Sequence, residues 1–241
     1  MSGDAPLAAG TSAPRLQRLI ERAPARREQP AEEERCELCG EPVSLEHRHL
    51  LDVEQQKLLC ACRACSILFD RREAGGGHFR LIPERCRRVE DFALSAGLWE
   101  ELRIPVELAF FVHSTPLARV AAFYPGPMGP TESLLRMEAW GELVAANPVL
   151  GDLERDTEAL LVNRARGGES YWLVPVDECY RLAGLFRSRW RGFGGGAELW
   201  AAIDEFFAAL ARRAILVHRD GSRTRTTGGS DGKGDLQRTG G

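Results

Sequence analysis

Four cysteines in two C-x-x-C pairs constrain this chain more than any other feature. The pairs are Cys36 and Cys39 in CELCG, and Cys62 and Cys65 in CRACS, with twenty-two residues between them. Each pair fits a tight turn that aims two thiolates at one metal ion, and the residues between the pairs are enough for a β-hairpin. The spacing therefore predicts one tetrahedral site that is closed and structural.

This ligand spacing is close to that of a zinc ribbon, so Zn²⁺ is the expected metal. Four cysteinates also suit iron, and an iron tetrathiolate of the rubredoxin type is the alternative. Disulfides are a weaker interpretation, because the chain has seven cysteines, an odd number. Its N-terminus also lacks the charged start and apolar region of a secretory signal. We therefore expect a cytoplasmic protein whose thiolates bind a metal.

A fifth cysteine, Cys60, lies two residues before Cys62 in the segment CACRAC. In an extended segment these two thiols point to the same face, so either could approach the metal. We prefer Cys62, because with Cys65 it completes the C-x-x-C spacing, whereas Cys60 would need a wider turn.

Composition narrows the class of partner. The formal net charge of −3 argues against a protein whose main work is binding a nucleic-acid backbone. No apolar run approaches the ~20 residues that a membrane span requires. We therefore expect a protein partner rather than nucleic acid or a membrane.

The chain divides into four predicted parts. Residues 1–30 and 220–241 have too few apolar side chains to offset the entropy of ordering, which predicts disordered tails. Consecutive glycines at 75–77 favour no regular element and mark a joint. The prediction is a four-cysteine metal module at 31–74 and a larger domain at 78–219.

The larger domain is predicted to be α+β. Two pairs of apolar runs, VELAFFVHS with ARVAAFYPG and EALLVNR with SYWLVP, predict two β-hairpins. Apolar residues at helical spacing predict four helices. These lie at residues 83–105, at 130–148 with Thr131 as the N-cap, at 176–190 and at 197–213. The pattern indicates an antiparallel sheet with the helices packed on one face.

His47 and His49, in LEHRHLLD between the cysteine pairs, suggest an HNH nuclease, in which such a histidine activates water. That chemistry also needs an asparagine, and none occurs between Cys36 and His78. We therefore predict polar side chains on an exposed hairpin. A degenerate HNH-like nucleic-acid binder is an alternative.

The segment RGFGGGAELW contains G-x-G-x-x-A at Gly192, Gly194 and Ala197. A dinucleotide-binding motif must follow a strand, whereas a predicted helix precedes this one, so a plain loop between helices is expected. The remaining candidates are predicted to be solvated arginines and packed or surface residues: Arg187, Arg189, Arg191, His113, Cys86 and Cys179. No catalytic set emerges, and the sequence predicts a non-catalytic protein.

Five segments of the chain resemble an uncharacterised family of bacterial, mainly actinobacterial, proteins encoded near NiFe hydrogenase genes. These segments are IPVELAFF, YPGPMGPTES, DTEALLVNR, VPVDECYRLAGLFRSRW and WRGFGGGAELW. The resemblance covers about residues 36–213, including the cysteine pairs. It implies an accessory role in hydrogenase assembly, metal-centre maturation or electron transfer, with hydrogenase subunits or maturation factors as partners. It carries over no catalytic residue.

The sequence thus predicts a metal-binding adaptor, with a rubredoxin-like electron carrier as the alternative. The segments YPGPMGPT and WRGFGGG are candidate contact surfaces, because rigid and glycine-rich loops often carry function.

Overall fold

The computed structural model describes residues 34–71, 73–192 and 194–224. The first predicted tail and residues 225–241 of the second lie outside the described residues. The described residues from Arg35 onward belong to one compact unit. No helix in the described part of the chain is long and apolar enough to cross a membrane.

A small antiparallel sheet of three strands includes the hairpin between the two cysteine pairs. Strands β1 (Arg48–Asp52) and β2 (Lys57–Ala61) form the hairpin predicted between the pairs. Strand β3 (Phe79–Leu81) adds to the other edge of β1, although it follows the glycine segment. Helix α1 (Arg63–Leu68) follows β2 and contacts β1. The division of the chain after residue 74 stays a prediction.

A seven-stranded sheet forms the larger part, in the order β10-β4-β9-β8-β5-β6-β7. Every neighbouring pair is antiparallel except β10 with β4. Both predicted hairpins are confirmed, as β5 with β6 and β8 with β9. The strands are β4 (Arg87–Val89), β5 (Leu108–Ser114), β6 (Arg119–Gly126), β7 (Gly129–Ser133), β8 (Glu158–Asn163), β9 (Ser170–Pro175) and β10 (Ile215–Val217).

Helices cover both faces of the large sheet. On one face, Phe110 and Leu161 pack with the long helices α4 (Val176–Arg189) and α5 (Ala197–Arg213). On the other face, Phe111 and Leu160 pack with α2 (Ala96–Glu101) and α3 (Met137–Ala146). The α+β class is confirmed, but the prediction that helices cover one face was wrong. The central strands are apolar at successive positions, whose side chains point to opposite faces, so both faces need a cover.

Two of the four predicted helices are shorter than the sequence indicated. The segment 83–105 first forms β4, and its helix α2 begins only after Ser95, whose hydroxyl accepts the Leu98 N–H at 3.1 Å. The segment 130–148 first forms β7, so Thr131 lies in a strand and is not an N-cap. Strand β4 pairs with β9 and β10, and β7 pairs with β6 at the edge of the sheet, and this pairing overrides local helical periodicity. The last two predicted helices are confirmed as α4 and α5.

Candidate metal centre

The first cysteine pair lies in a tight turn. The Cys36 N–H donates to the Glu41 carbonyl at 2.8 Å, and the Gly40 N–H donates to the Cys36 carbonyl at 2.8 Å. Gly40 has a φ of +78°, in the left-handed region that glycine adopts without steric cost. This turn brings the Cys39 side chain back toward Cys36, as the sequence predicted.

The second pair lies at the start of a helix rather than in a turn between strands. Cys62 is the N-cap of α1, and its Sγ accepts the Cys65 N–H at 3.5 Å. The Cys62 carbonyl accepts the Ser66 N–H at 2.9 Å, which begins the helical hydrogen bonding. Because the N-cap residue and the third residue after it lie on one side of the first turn, both thiols face the same space.

The two pairs converge on one point. The four sulfurs of Cys36, Cys39, Cys62 and Cys65 all lie within 4.8 Å of one another, and the Cys39 and Cys62 sulfurs are 3.6 Å apart. Four bonds of ~2.3 Å in a tetrahedron place the sulfurs about 3.8 Å apart, so these thiols fit a single Zn²⁺ or iron ion. Cys60 is not a member of this group.

The proton equilibria of two thiols show why the group favours a cation. Burial acts to raise the pKa of Cys36, but the backbone N–H groups of Cys62, Leu38 and Cys39 lower it to about 6. Burial and the neighbouring thiols raise the pKa of Cys65 to about 12. Four thiolates this close repel one another, so their full ionisation requires a bound cation.

A second group of potential ligands lies on the β1–β2 hairpin. The ligand atoms of His47, His49 and Cys60 lie within 4.8 Å of one another, and His49 is directly opposite Cys60 in the strand pairing. The His49 Nδ1 is 2.9 Å from Asp177 Oδ2, and the His47 Nδ1 is 2.8 Å from the Ser44 carbonyl oxygen. The expected exposed polar hairpin was therefore wrong, since these histidines are half-buried and held by specific partners.

The other candidates from the sequence have the expected structural roles. The G-x-G-x-x-A segment connects α4 to α5, and Ala197 is the first residue of α5. Burial raises the pKa of Cys86 to about 11 and that of Cys179 well above its usual value, so both thiols stay protonated at neutral pH. His113 is half-buried on β5, and three arginines near the end of α4 are exposed: Arg187, Arg189 and Arg191.

One apolar groove brings together the two loops predicted as contact surfaces. The groove, a cavity of about 460 Å³, is lined by Tyr124 and Pro127 of the first segment, by Trp190 of the second and by Trp200 of α5. The Arg166 guanidinium also lines this groove and lies 5.8 Å from the centre of the Trp200 ring, within cation–π distance. No single sequence segment indicated that these side chains share one surface.

Comparison with known proteins identifies a family whose function is not known. The model of a family of unknown function (DUF5947) matches residues 35–214. No curated protein and no solved structure matches significantly. The family match agrees with the predicted resemblance to an uncharacterised family over residues 36–213.

Proposed function

Because this chain belongs to DUF5947, a family of unknown function, we propose its function from its own residues. It is a non-catalytic adaptor that binds one metal ion through four cysteines and contacts a partner protein through its apolar groove. The observation that carries this proposal is the convergence of the four sulfurs, at most 4.8 Å apart. Cys36, Cys39, Cys62 and Cys65 would hold the ion, and four protein ligands leave no open position for a substrate.

The metal has a structural task in this arrangement. The small sheet has a cluster of its own, whose buried members are Leu50, Leu59 and Ala61, while Leu51 and Val53 belong to the core of the large sheet. So small a cluster cannot offset the entropy lost on ordering the module. Structural Zn²⁺ in zinc-finger peptides contributes about 10–16 kcal/mol of apparent binding free energy, which is enough to order such a module. Zn²⁺ is thus the proposed metal, and reduced thiolates suit a cytoplasmic location.

The proposed partner is a hydrogenase subunit or maturation factor. The resemblance to proteins encoded near NiFe hydrogenase genes supports this choice of partner. The groove supports a protein contact, because aromatic side chains with an adjacent arginine are the residue types that most often dominate binding energy at interfaces. Trp190, Trp200 and Arg166 supply those types here.

Elemental analysis with an absorption spectrum tests the metal. The protein is purified without added metal, and zinc and iron are counted per chain. Zinc in a colourless protein supports the structural adaptor. One iron with a visible charge-transfer band would instead favour the rubredoxin-like electron carrier, and its reduction potential would then be measured.

Co-purification tests the partner. The tagged chain is isolated from its native host, and hydrogenase subunits and maturation factors are identified by mass spectrometry. We expect Trp190→Ala to lose them and Leu134→Ala to retain them, because Leu134 is an exposed apolar residue outside the groove. Equal recovery with both variants would contradict the groove as the contact surface.

A further inference from the structure

The second ligand group has the composition and geometry of a metal site in its own right. His47 and His49 are two residues apart at the start of the hairpin, and Cys60 lies opposite His49 on the adjacent strand. One ligand atom of each lies within 4.8 Å of the others. We propose that these three side chains bind a second transition-metal ion, separate from the ion of the four-cysteine group.

The hydrogen bonds of both histidines prepare the same ring atom for a metal. The Nδ1 atoms lie 2.8 Å from the Ser44 carbonyl oxygen and 2.9 Å from the Asp177 carboxylate. These oxygens only accept, so Nδ1 carries the proton in each neutral imidazole and Nε2 carries the lone pair. Metal-binding histidines almost always have such a partner for the second nitrogen, which fixes the tautomer and the ring orientation.

Asp177 is held in place by a different part of the fold. It lies in the first turn of α4 and is 128 positions away from His49 in the sequence. Helix α4 packs through its apolar face on the large sheet, and this fixes the position of the carboxylate. The side chains of His49 and Asp177 are only 30% and 23% exposed, so their contact is partly shielded from water. The orienting carboxylate is therefore in position before a metal arrives.

The site borders an open pocket and has an open coordination position. His47 and Ser44 line an open pocket of about 560 Å³ on the side of the hairpin that leads to α1. Three protein ligands leave a fourth position of a tetrahedral ion for water or another small ligand. This site therefore differs from the closed four-cysteine group.

The donor set selects the class of metal. Two imidazoles and one thiolate suit Zn²⁺, copper, nickel or iron, and they disfavour Mg²⁺ and Ca²⁺, which prefer oxygen ligands. With neutral imidazoles, the thiolate of Cys60 and the carboxylate of Asp177 together balance the two positive charges of a divalent ion. Zn²⁺ is the probe for the test below.

The test counts zinc in the full chain after equilibration with Zn²⁺ and removal of loosely bound ions. We expect two zinc ions in the parent protein and one fewer in His49→Gln and in Cys60→Ser. His78→Gln is the matched control, because the His78 Nδ1 also lies 2.9 Å from a carboxylate, that of Glu54, but His78 belongs to neither ligand group. Unchanged zinc in both His49→Gln and Cys60→Ser would overturn the second site.

The same measurement separates the two sites. If the four-cysteine group binds no metal, Cys65→Ser leaves the zinc count unchanged, while Cys60→Ser still removes one ion. If only the four-cysteine group binds zinc, Cys65→Ser removes one ion and Cys60→Ser leaves the zinc count unchanged. The failure of either site is therefore visible independently of the other.

Asp177→Asn tests the orienting carboxylate without removing a ligand. The amide keeps an oxygen that accepts from the His49 Nδ1 but loses the charge that raises the basicity of the ring. Loss of such a partner typically weakens metal binding about 10–100-fold. We expect that change in the dissociation constant of the second Zn²⁺ ion, measured against a chromophoric chelator in protein whose four-cysteine group is already filled with zinc. An unchanged constant would contradict the proposed role of Asp177.

Discussion

Arg85 donates two hydrogen bonds of 2.6 Å, from Nε and from a terminal nitrogen, to the two carboxylate oxygens of Glu158. The Glu158 side chain is fully buried, and the Glu154 N–H donates to the same carboxylate at 2.9 Å. Arg85 lies in the connection from β3 to β4, and Glu158 is the first residue of β8. The pair therefore holds the segment between β3 and β4, which leaves the small sheet, against the start of the central strand β8.

Replacement of Glu158 by Gln should destabilise the protein strongly. The change removes the charged partner of Arg85, which is 42% exposed, and of Arg87, which is 12% exposed, and leaving a buried polar group unsatisfied in this way costs about 1–3 kcal/mol. The free energy of unfolding in urea measures the loss. Glu132→Gln is the matched control, because Glu132 pairs with Arg119 where both side chains are 41% exposed, and such pairs contribute below about 1 kcal/mol. Equal losses in the two variants would contradict a special role for the buried pair.

Gly195→Ala should also destabilise the protein, whereas Gly194→Ala should not. Gly195 has a φ of +81°, and a Cβ there would lie 2.6 Å from the Leu199 Cδ2 on α5. A non-glycine residue in the left-handed region costs about 1–3 kcal/mol before the clash is counted. At Gly194 a Cβ meets open space. Urea unfolding of both variants gives the difference, and identical midpoints would show that the loop relaxes freely.

The hairpins of the large sheet were predictable because each forms within one short stretch of chain. Strands β4 and β7 were not, because their sequences lack a strand pattern of their own. Strand β4 is only Arg87–Val89, with arginine at two of its three positions, and it forms because it pairs with β9, more than eighty positions later in the chain. Such distant pairing leaves no local signal, so helical periodicity in the same segment gave the wrong element.

The two ligand groups differ in how far the sequence could indicate them. The four-cysteine group follows from local spacing alone, because each pair forms within one turn. The group of His47, His49 and Cys60 needs the register of the hairpin, which places Cys60 opposite His49. An assumed turn between the predicted strands could have supplied that register. Asp177 comes from a helix distant in sequence, and only the tertiary structure places it beside His49.

The free energy of unfolding should fall as the pH rises from about 9 to about 11, because the Cys86 thiol is buried in the folded protein. Burial raises the pKa of its thiol to about 11, whereas the unfolded thiol has an ordinary value near 9. Below about pH 9 the Cys86 thiol is protonated in both the folded and the unfolded state, so it causes no loss of stability there. As the pH rises, the unfolded thiol ionises first, so the unfolded state is favoured until the folded thiol ionises too. A difference of about two pKa units corresponds to roughly 2–3 kcal/mol.

Urea unfolding between pH 7 and pH 11 checks this for the parent protein and for Cys86→Ala. The variant lacks the thiol, so its stability should fall less steeply above pH 9, and the difference between the two proteins should shrink there. Cys179 is present in both proteins and cancels in the comparison. Parallel curves across this range would contradict the assigned cause.

Cys36→Ser and Cys65→Ser should each abolish metal binding by the four-cysteine group and unfold the small sheet, while the large sheet stays folded. Each change removes one of four thiolates, and the small cluster of Leu50, Leu59 and Ala61 cannot replace the lost metal free energy. A Cys60→Ser background is used, so that only the four-cysteine group can bind. Elemental analysis then counts the metal directly, and Cys86→Ala in the same background is the control that should keep it.

Tryptophan fluorescence and circular dichroism together distinguish the small sheet from the larger part. All five tryptophans lie at residue 99 or later, so their fluorescence mainly follows the larger part. Circular dichroism follows both parts. We expect reduced strand signal with unchanged tryptophan emission in Cys36→Ser and Cys65→Ser. Stoichiometric metal in either variant would overturn the four-cysteine assignment, and a shift of tryptophan emission to that of the unfolded chain would show that the two parts fold as one.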